Sequence, residues 1–539
     1  MKIRGKQSMY QIVFFILCSY VIVALLSNGF IDFVGGSASN SIDTSGHNWV
    51  TVNYDIQGTR NNNQTMINSE TINTLEMKWQ IPTDFEIHEP PIIIDNRGYV
   101  QDYAGNVFAF DTESGNVIWH EGVGSGPTMG LTYNNGTIFA STGASGTIAA
   151  IDPEDGEIIW ESEVLGDTSK GYRIDSFPIV WNDYVVAGSA GSGSISEEGA
   201  LRGTVTALNR TDGSILWDLE TTTGEWVEED NNSNGGATAW SGGSLDPETA
   251  LLYIPLGSAA PNFNASTRQT PNLYSNHMVA VNITNGELIW ATPFIAHGTV
   301  LDNLDVPDTH DWDTSWGSSV SRVLFPDGTQ KKVVVGHDKM GNVIAMDGNT
   351  GEEIWWRTLG NPININSIPM PNGSGMIWAY GVYNYHAVDA DTLYVTATNR
   401  GLNFFTDGLG GDREAPPDTI EQGLKNGTIY ALDLITGSTK WELDIGFPPR
   451  VSPIVTNDLL ITGYLPFSED SRSGIILALD KNTGEILREI DINAPIGPVG
   501  PSIGNDMLFV PTGELLTDDD QSQGEDAEGS VIAFQTSSP

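Results

Sequence analysis

The sequence predicts an all-β fold, an eight-bladed β-propeller built from four-stranded antiparallel blades. Three observations predict it. A pattern returns along the chain with fixed internal spacing, short alternating apolar segments precede its copies, and 60 Gly and 27 Pro supply turns in quantity. An apolar share of 39% with 15 Trp, 16 Tyr and 18 Phe is rich enough to bury a large core.

At the N-terminus, Lys2, Arg4 and Lys6 precede a mainly apolar run from Met9 to Leu26 with no charged residue, and small residues Gly36, Ser37, Ala38 and Ser39 lie beyond it. A positive segment ahead of a hydrophobic one is the arrangement of an export signal, either cleaved or kept as a membrane anchor. Residues 1–38 are therefore expected to be a signal peptide or anchor, and 39–539 a single propeller domain lying outside the cytoplasm. The lone cysteine, Cys18, sits inside the apolar run, so the body of the chain can form no internal disulfide. Sequons at Asn63, Asn135, Asn209, Asn231, Asn264, Asn282, Asn372 and Asn426 would permit N-glycosylation there.

The repeat follows. Ala-x-(Asp/Asn)-x-x-x-Gly-x-x-x-Trp occurs at Ala109–Trp119, Ala150–Trp160, Ala207–Trp217, Ala280–Trp290, Ala345–Trp355 and Ala431–Trp441. A seventh copy, Ala478 to Arg488, keeps Asp480 and Gly484 and has lost the Trp. Each copy reads as a hairpin: apolar alternation up to the Asp, turn chemistry from the Asp to the Gly, then a resumed strand. A Trp once per unit beside a small Ala suggests that each indole packs over the Ala of the neighbouring unit, burying a face that no hairpin could bury alone. Upstream segments such as Gly136–Ala140 and Asp458–Thr462 add two strands, giving four per unit. The eighth unit is split: Gly529–Phe534 resembles the first half of the motif and Leu75–Trp79 the second, so the two ends of the chain would close the ring.

With 69 acidic and 24 basic side chains the net charge is −45, which excludes binding to a phosphate backbone. The acidity otherwise reads as a solvating surface. Insertions near 218–235, 291–309 and 402–424 are expected to shape an entrance on one face.

These repeats resemble the tryptophan-docking motif of the eight-bladed quinoprotein dehydrogenases, which use pyrroloquinoline quinone (PQQ), and the chain looks closer to the alcohol and polyvinyl-alcohol dehydrogenase-like branch. The resemblance runs from Asn48-Trp49 through Arg60 and Ile67-Asn68 to the final strands, and it implies roles for the segments between repeats. His88-Glu89-Pro90-Pro91 implies Glu89 as a cofactor contact, Tyr172–Pro178 implies Ser176, and Gly236–Trp240 followed by Asp246 implies Trp240 as the aromatic floor beneath the quinone. Gly336–Asn342 implies Lys339 as the cation at the quinone oxygens, and Thr396–Asn399 implies Asn399. The metal, Ca²⁺ or a lanthanide, is implied at Glu198 or Glu197, at Ser258 where the family has Asn, and at Asp313. His310-Asp311-Trp312-Asp313 resembles the catalytic stretch and implies Asp313, or Asp311 in the other register, as the base. Met129-Gly130 stands where relatives often carry Arg-Gly.

The resemblance implies oxidation of a small alcohol or sugar outside the membrane. With no Cys-x-x-Cys-His for a fused haem, electrons would pass to a separate cytochrome or cupredoxin. The alternative is a non-enzymatic exported propeller, a scaffold or binding protein, which needs the repeats and none of these site residues.

Overall fold

The computed structural model describes residues 48–126, 130–191, 203–221, 237–257, 274–294, 317–339, 341–360, 376–378, 381–398, 402–404, 427–466, 473–497, 499–513 and 529–537. Among them the strands form eight four-stranded antiparallel sheets. Seven are consecutive meanders, here blades I (92–122), II (131–161), III (179–220), IV (244–293), V (319–358), VI (387–445) and VII (449–491). Blade VIII joins 502–536 to the strand Leu75–Thr83 from the other end of the chain, with Trp79 opposite Ala533. The termini close the ring as the split motif predicts. Among the described residues no helix is long and apolar enough to cross a membrane; the Met9–Leu26 run lies outside them.

The repeat explains how blades adhere, with one correction. In each copy the Ala pairs with the Trp of its own hairpin, for example Ala109 with Trp119 and Ala345 with Trp355. The indole itself covers the Gly of the next blade's motif, not its Ala. A Cβ on Gly156 would meet Trp119 Cε3 at 2.8 Å, and one on Gly351 would meet Trp290 Cδ2 at 2.7 Å. Each indole N–H also donates to the carbonyl three residues before that Gly: Trp79 to Thr112 at 3.0 Å, Trp119 to Pro153 at 3.1 Å, Trp355 to Leu434 at 2.9 Å and Trp441 to Lys481 at 2.9 Å. Only glycine lets a flat ring lie on the turn, and a positive φ there, +74° at Gly351, suits it further. The missing Trp of the seventh copy now has a reason. Blade VIII has no Gly hairpin turn between its two outer strands, because 529–536 and Leu75–Thr83 lie far apart in sequence, and Arg488 instead donates Nη1 to the carbonyl of Ile72 at 2.5 Å.

A second device knits the ring from within. Residues 49–62 run as a strap along the innermost strands and hydrogen-bond to seven of the eight blades. Trp49 exchanges bonds with Ile93, Val50 accepts from Tyr133, Ile56 from Leu245, Gln57 from Val320, Thr59 from Val388 and Arg60 from Val455, and Asn62 reaches Ile503 with Nδ2. At the blade III side, Thr51 Oγ1 pairs with Thr132 Oγ1, which donates to the carbonyl of Pro178 at 2.6 Å.

Arg60 anchors this strap. Fully buried, with its backbone at φ +51°, it donates Nε to Pro453, Nη1 to Val52 and Nη2 to Val499, all at carbonyl oxygens within 3.0 Å. A guanidinium suits this because its planar fork can satisfy several carbonyls at once.

Candidate functional site

In a ring of antiparallel meanders, the links between blades and the turns joining each blade's second and third strands fall on one face. Glu89, Ser176, Trp240 and Lys339 all lie on such links or turns. Glu197, Glu198, Ser258, Asp311, Asp313 and Asn399 lie outside the described residues, as does Met129.

Lys339 and Trp240 come together. The Lys339 ammonium is 4.7 Å from the Trp240 ring centroid and 5.6 Å from that of Tyr383, so the cation rests against two aromatic faces. Its position is fixed by a short turn: Asp338 accepts from the backbone N–H of Asn342 at 2.9 Å and from its Nδ2 at 2.8 Å. The same Asp-x-x-Gly-Asn turn occurs on blade I, where Asp102 holds Asn106 with the same two bonds at 2.9 and 2.8 Å and Tyr103 takes the place of the lysine. Blades I and V are opposite each other in a ring of eight, so Tyr103 and Lys339 face across the mouth. Tyr103 lies within electrostatic reach of Tyr383 and packs on His88 with the rings tilted by 41° and 4.2 Å between centroids, and burial pushes its hydroxyl up to about 12. That repeated turn was a sequence signal for Tyr103 that the resemblance did not supply.

Glu89 is buried, and neither carboxyl oxygen has a hydrogen-bond partner among the described residues. Burial drives its pKa well above the usual carboxylate range, and the charge on Arg60 only partly opposes this. Burial also brings Arg60 down to about 10, so it stays a cation beside a carboxyl whose protonated form burial favours. Gly130 packs against Glu89, where a Cβ would meet Glu89 Cγ at 3.0 Å. In its protonated form, an unpartnered buried carboxyl can donate a hydrogen bond.

Ser176 is placed differently. Its hydroxyl donates to the carbonyl of Gly188 at 3.1 Å and accepts the Gly188 N–H at 2.8 Å, tying the chain entering blade III to the next strand. Three positions before it, Arg173 donates Nε to Asp175 at 2.8 Å, and Asp175 is buried. Asp246, six residues beyond Trp240, pairs with Lys332 at 2.6 Å and Arg322 at 3.1 Å, so it staples blade IV to blade V.

Behind the site, on blade V and the link into blade VI, His337 Nε2 and His386 Nδ1 are 2.9 Å apart and His386 Nε2 meets Ser319 Oγ at 2.6 Å. Both rings are buried. Burial holds His386 down at about 3 and His337 well below its ordinary value, so both are neutral.

These described residues suit a planar anion: an aromatic floor, cations at Lys339 and Arg173, and a buried carboxyl able to donate. Among the described residues no group of three or more His, Cys, Asp or Glu could hold a metal ion, and the metal ligands expected from sequence lie outside them.

Residues 49–358, more than half of the 539, match the family profile described as PQQ, glucose/ethanol/alcohol dehydrogenase, β-propeller domain. A second profile, outer membrane protein assembly factor BamB, matches residues 275–458. The putative dehydrogenase XoxF of Paracoccus denitrificans is 27% identical over 353 residues, covering 58% of this chain and 55% of that protein. The quinohemoprotein alcohol dehydrogenase ADH-IIG of Pseudomonas putida is 25% identical, covering 59% of this chain and 46% of that protein. This chain thus spans about half the length of these relatives. The quinoprotein alcohol dehydrogenase PedH of Pseudomonas putida is 23% identical, with 83% and 82% covered. Two solved structures share the fold: quinohemoprotein alcohol dehydrogenase ADHIIG from Pseudomonas putida HK5, at TM-score 0.76 and 19% identity over 93% of this chain and 82% of that one, and a europium-containing methanol dehydrogenase, at TM-score 0.72 and 20% identity over 91% and 98%. The chain belongs to the PQQ glucose/ethanol/alcohol dehydrogenase β-propeller family.

Proposed function

We propose that this chain oxidises an alcohol or sugar hydroxyl outside the cytoplasmic membrane, using PQQ and a metal ion and passing electrons to a separate carrier such as a cytochrome or cupredoxin. The observation that carries the reading is the Lys339 ammonium set 4.7 Å from the Trp240 ring at the mouth of an eight-bladed ring. When bound, PQQ supplies the two-electron acceptor.

The chain's own residues supply position and charge. Trp240 offers a flat face for stacking, and Lys339 stabilises negative charge developing on an oxygen held beside it. Glu89, whose protonated form burial favours, would then be able to donate a hydrogen bond to the bound group. Asp313, or Asp311 in the other register, takes the hydroxyl proton from the substrate as general base. Glu198 or Glu197, Ser258 and Asp313 would hold Ca²⁺ or a lanthanide, the harder oxygen-ligated cations that such donors select. The apolar run behind Lys2, Arg4 and Lys6 supports export.

The match to the BamB profile favours a second reading, a non-enzymatic scaffold. A scaffold has no need of a cation over an indole or of an unpartnered buried carboxyl, which weighs for the enzyme. The test is reconstitution with PQQ and either Ca²⁺ or a lanthanide, followed by desalting, an absorbance scan and dye-linked assays on alcohols and sugars. Retained quinone with turnover is expected. A protein that keeps no quinone band after desalting is the scaffold.

A further inference from the structure

We infer that Arg173 is the carboxylate-binding cation of the cofactor pocket, held in place by Asp175 on the face of the ring that also carries Lys339. This rests on the PQQ reading above and names a residue that the resemblance did not.

The argument begins with charge. PQQ carries three carboxylates on a rigid ring system, so a site that stacks its plane must also meet anions at its far edge. Lys339 is committed to the Trp240 and Tyr383 side. The sequence offers no cation at Met129-Gly130, and this chain has only 24 basic residues to place anywhere.

Arg173 is one of them, on the link that carries the chain from blade II into blade III, on the face where Lys339 also lies. Its side chain is 36% exposed while its partner Asp175 is 3% exposed. Only Nε is engaged: among the described residues Asp175 is the one group that the guanidinium hydrogen-bonds. The other Asp175 oxygen is buried and unpartnered, so the carboxylate grips the arginine from behind and has no other described partner. Tyr103, opposite Lys339 in the ring, lies within electrostatic reach of both Arg173 and Asp175.

The backbone is fixed as well. Tyr172–Arg173 pairs with Ala190–Gly191, and Ile174 bridges to Gly143. A guanidinium oriented through Nε presents its two terminal amino groups as a fork, the geometry that a carboxylate accepts in bidentate fashion. Ser176, with its hydroxyl tied to Gly188, holds the link in place beside it.

The experiment titrates PQQ into wild type, Arg173→Gln and Arg173→Lys by calorimetry at low and moderate salt, with thermal melts to confirm folding. Loss of a charge-assisted pair should weaken PQQ binding by about tenfold or more in Arg173→Gln and by less in Arg173→Lys. Arg173→Gln should also flatten the salt dependence, because one screened charge pair is gone. A folded Arg173→Gln protein that binds PQQ within about threefold of wild type, or with an unchanged salt dependence, overturns the assignment. Wild type that binds no PQQ overturns the PQQ reading and this inference together.

Discussion

Lys339 holds its ammonium 4.7 Å from the centre of the Trp240 ring, so the cation and the aromatic floor are assembled before any ligand arrives. Preassembly reduces the ordering cost of binding. Lys339→Gln should therefore weaken PQQ binding by about tenfold or more, while Lys339→Arg stays close to wild type. Calorimetric titration with PQQ checks both.

Glu89 predicts a pH signature that requires no cofactor. Its folded pKa is raised well above the unfolded value, so between the two the folded protein binds the extra proton. Stability must then fall as pH rises from the ordinary carboxylate range through the raised value, and level off above it. Glu89→Gln, neutral throughout, should lose that fall. Melting temperature measured across this range for both proteins is the check.

The paired histidines predict the opposite slope at lower pH. His386 is held near 3 against an ordinary 6.5, and His337 is lowered as well. Their folded forms are neutral while the unfolded chain takes up protons, so stability present above 6.5 is lost as pH falls toward 3. Each histidine contributes about 1.4 kcal/mol per pH unit within its window. His386→Asn should be less stable at neutral pH, where its bonds to Ser319 and His337 are gone, yet show a shallower acid slope. Denaturant titrations at several pH values measure both effects.

Docking of Trp on Gly predicts a matched pair of substitutions. Gly351→Ala places a Cβ 2.7 Å from Trp290 at a φ of +74°, whereas Gly136→Ala, at φ +81°, meets nothing within 4 Å. The first combines backbone strain with a displaced indole and should cost about 2–4 kcal/mol; the second has only the backbone term, about 1 kcal/mol. Equal losses in equilibrium denaturation would refute the docking account.

How much of this was legible in the sequence depends on how local the cause is. The hairpins were readable because Asp111 through Gly115 and its counterparts carry their own turn chemistry, and the split blade because Trp79 and Ala533 each keep half a motif. That each indole covers a glycine was not readable, since spacing within one unit does not name its neighbour's contact. In the site, Glu89, Trp240 and Lys339 followed from resemblance. Arg173, Tyr103 and the His337–His386 pair did not, because links from different blades bring them together. Ser176 also followed from resemblance, while the tie of its hydroxyl to the Gly188 peptide had no signal in the sequence.

The strap also fixes an order of events. Residues 49–62 are synthesised well before the groups they bond to, which extend as far as Ile503. Contacts so distant along the chain form slowly, because long loops must close first. The strap must therefore wait for partners made as many as 441 positions later, and residues made before their partners are among the last to find their places.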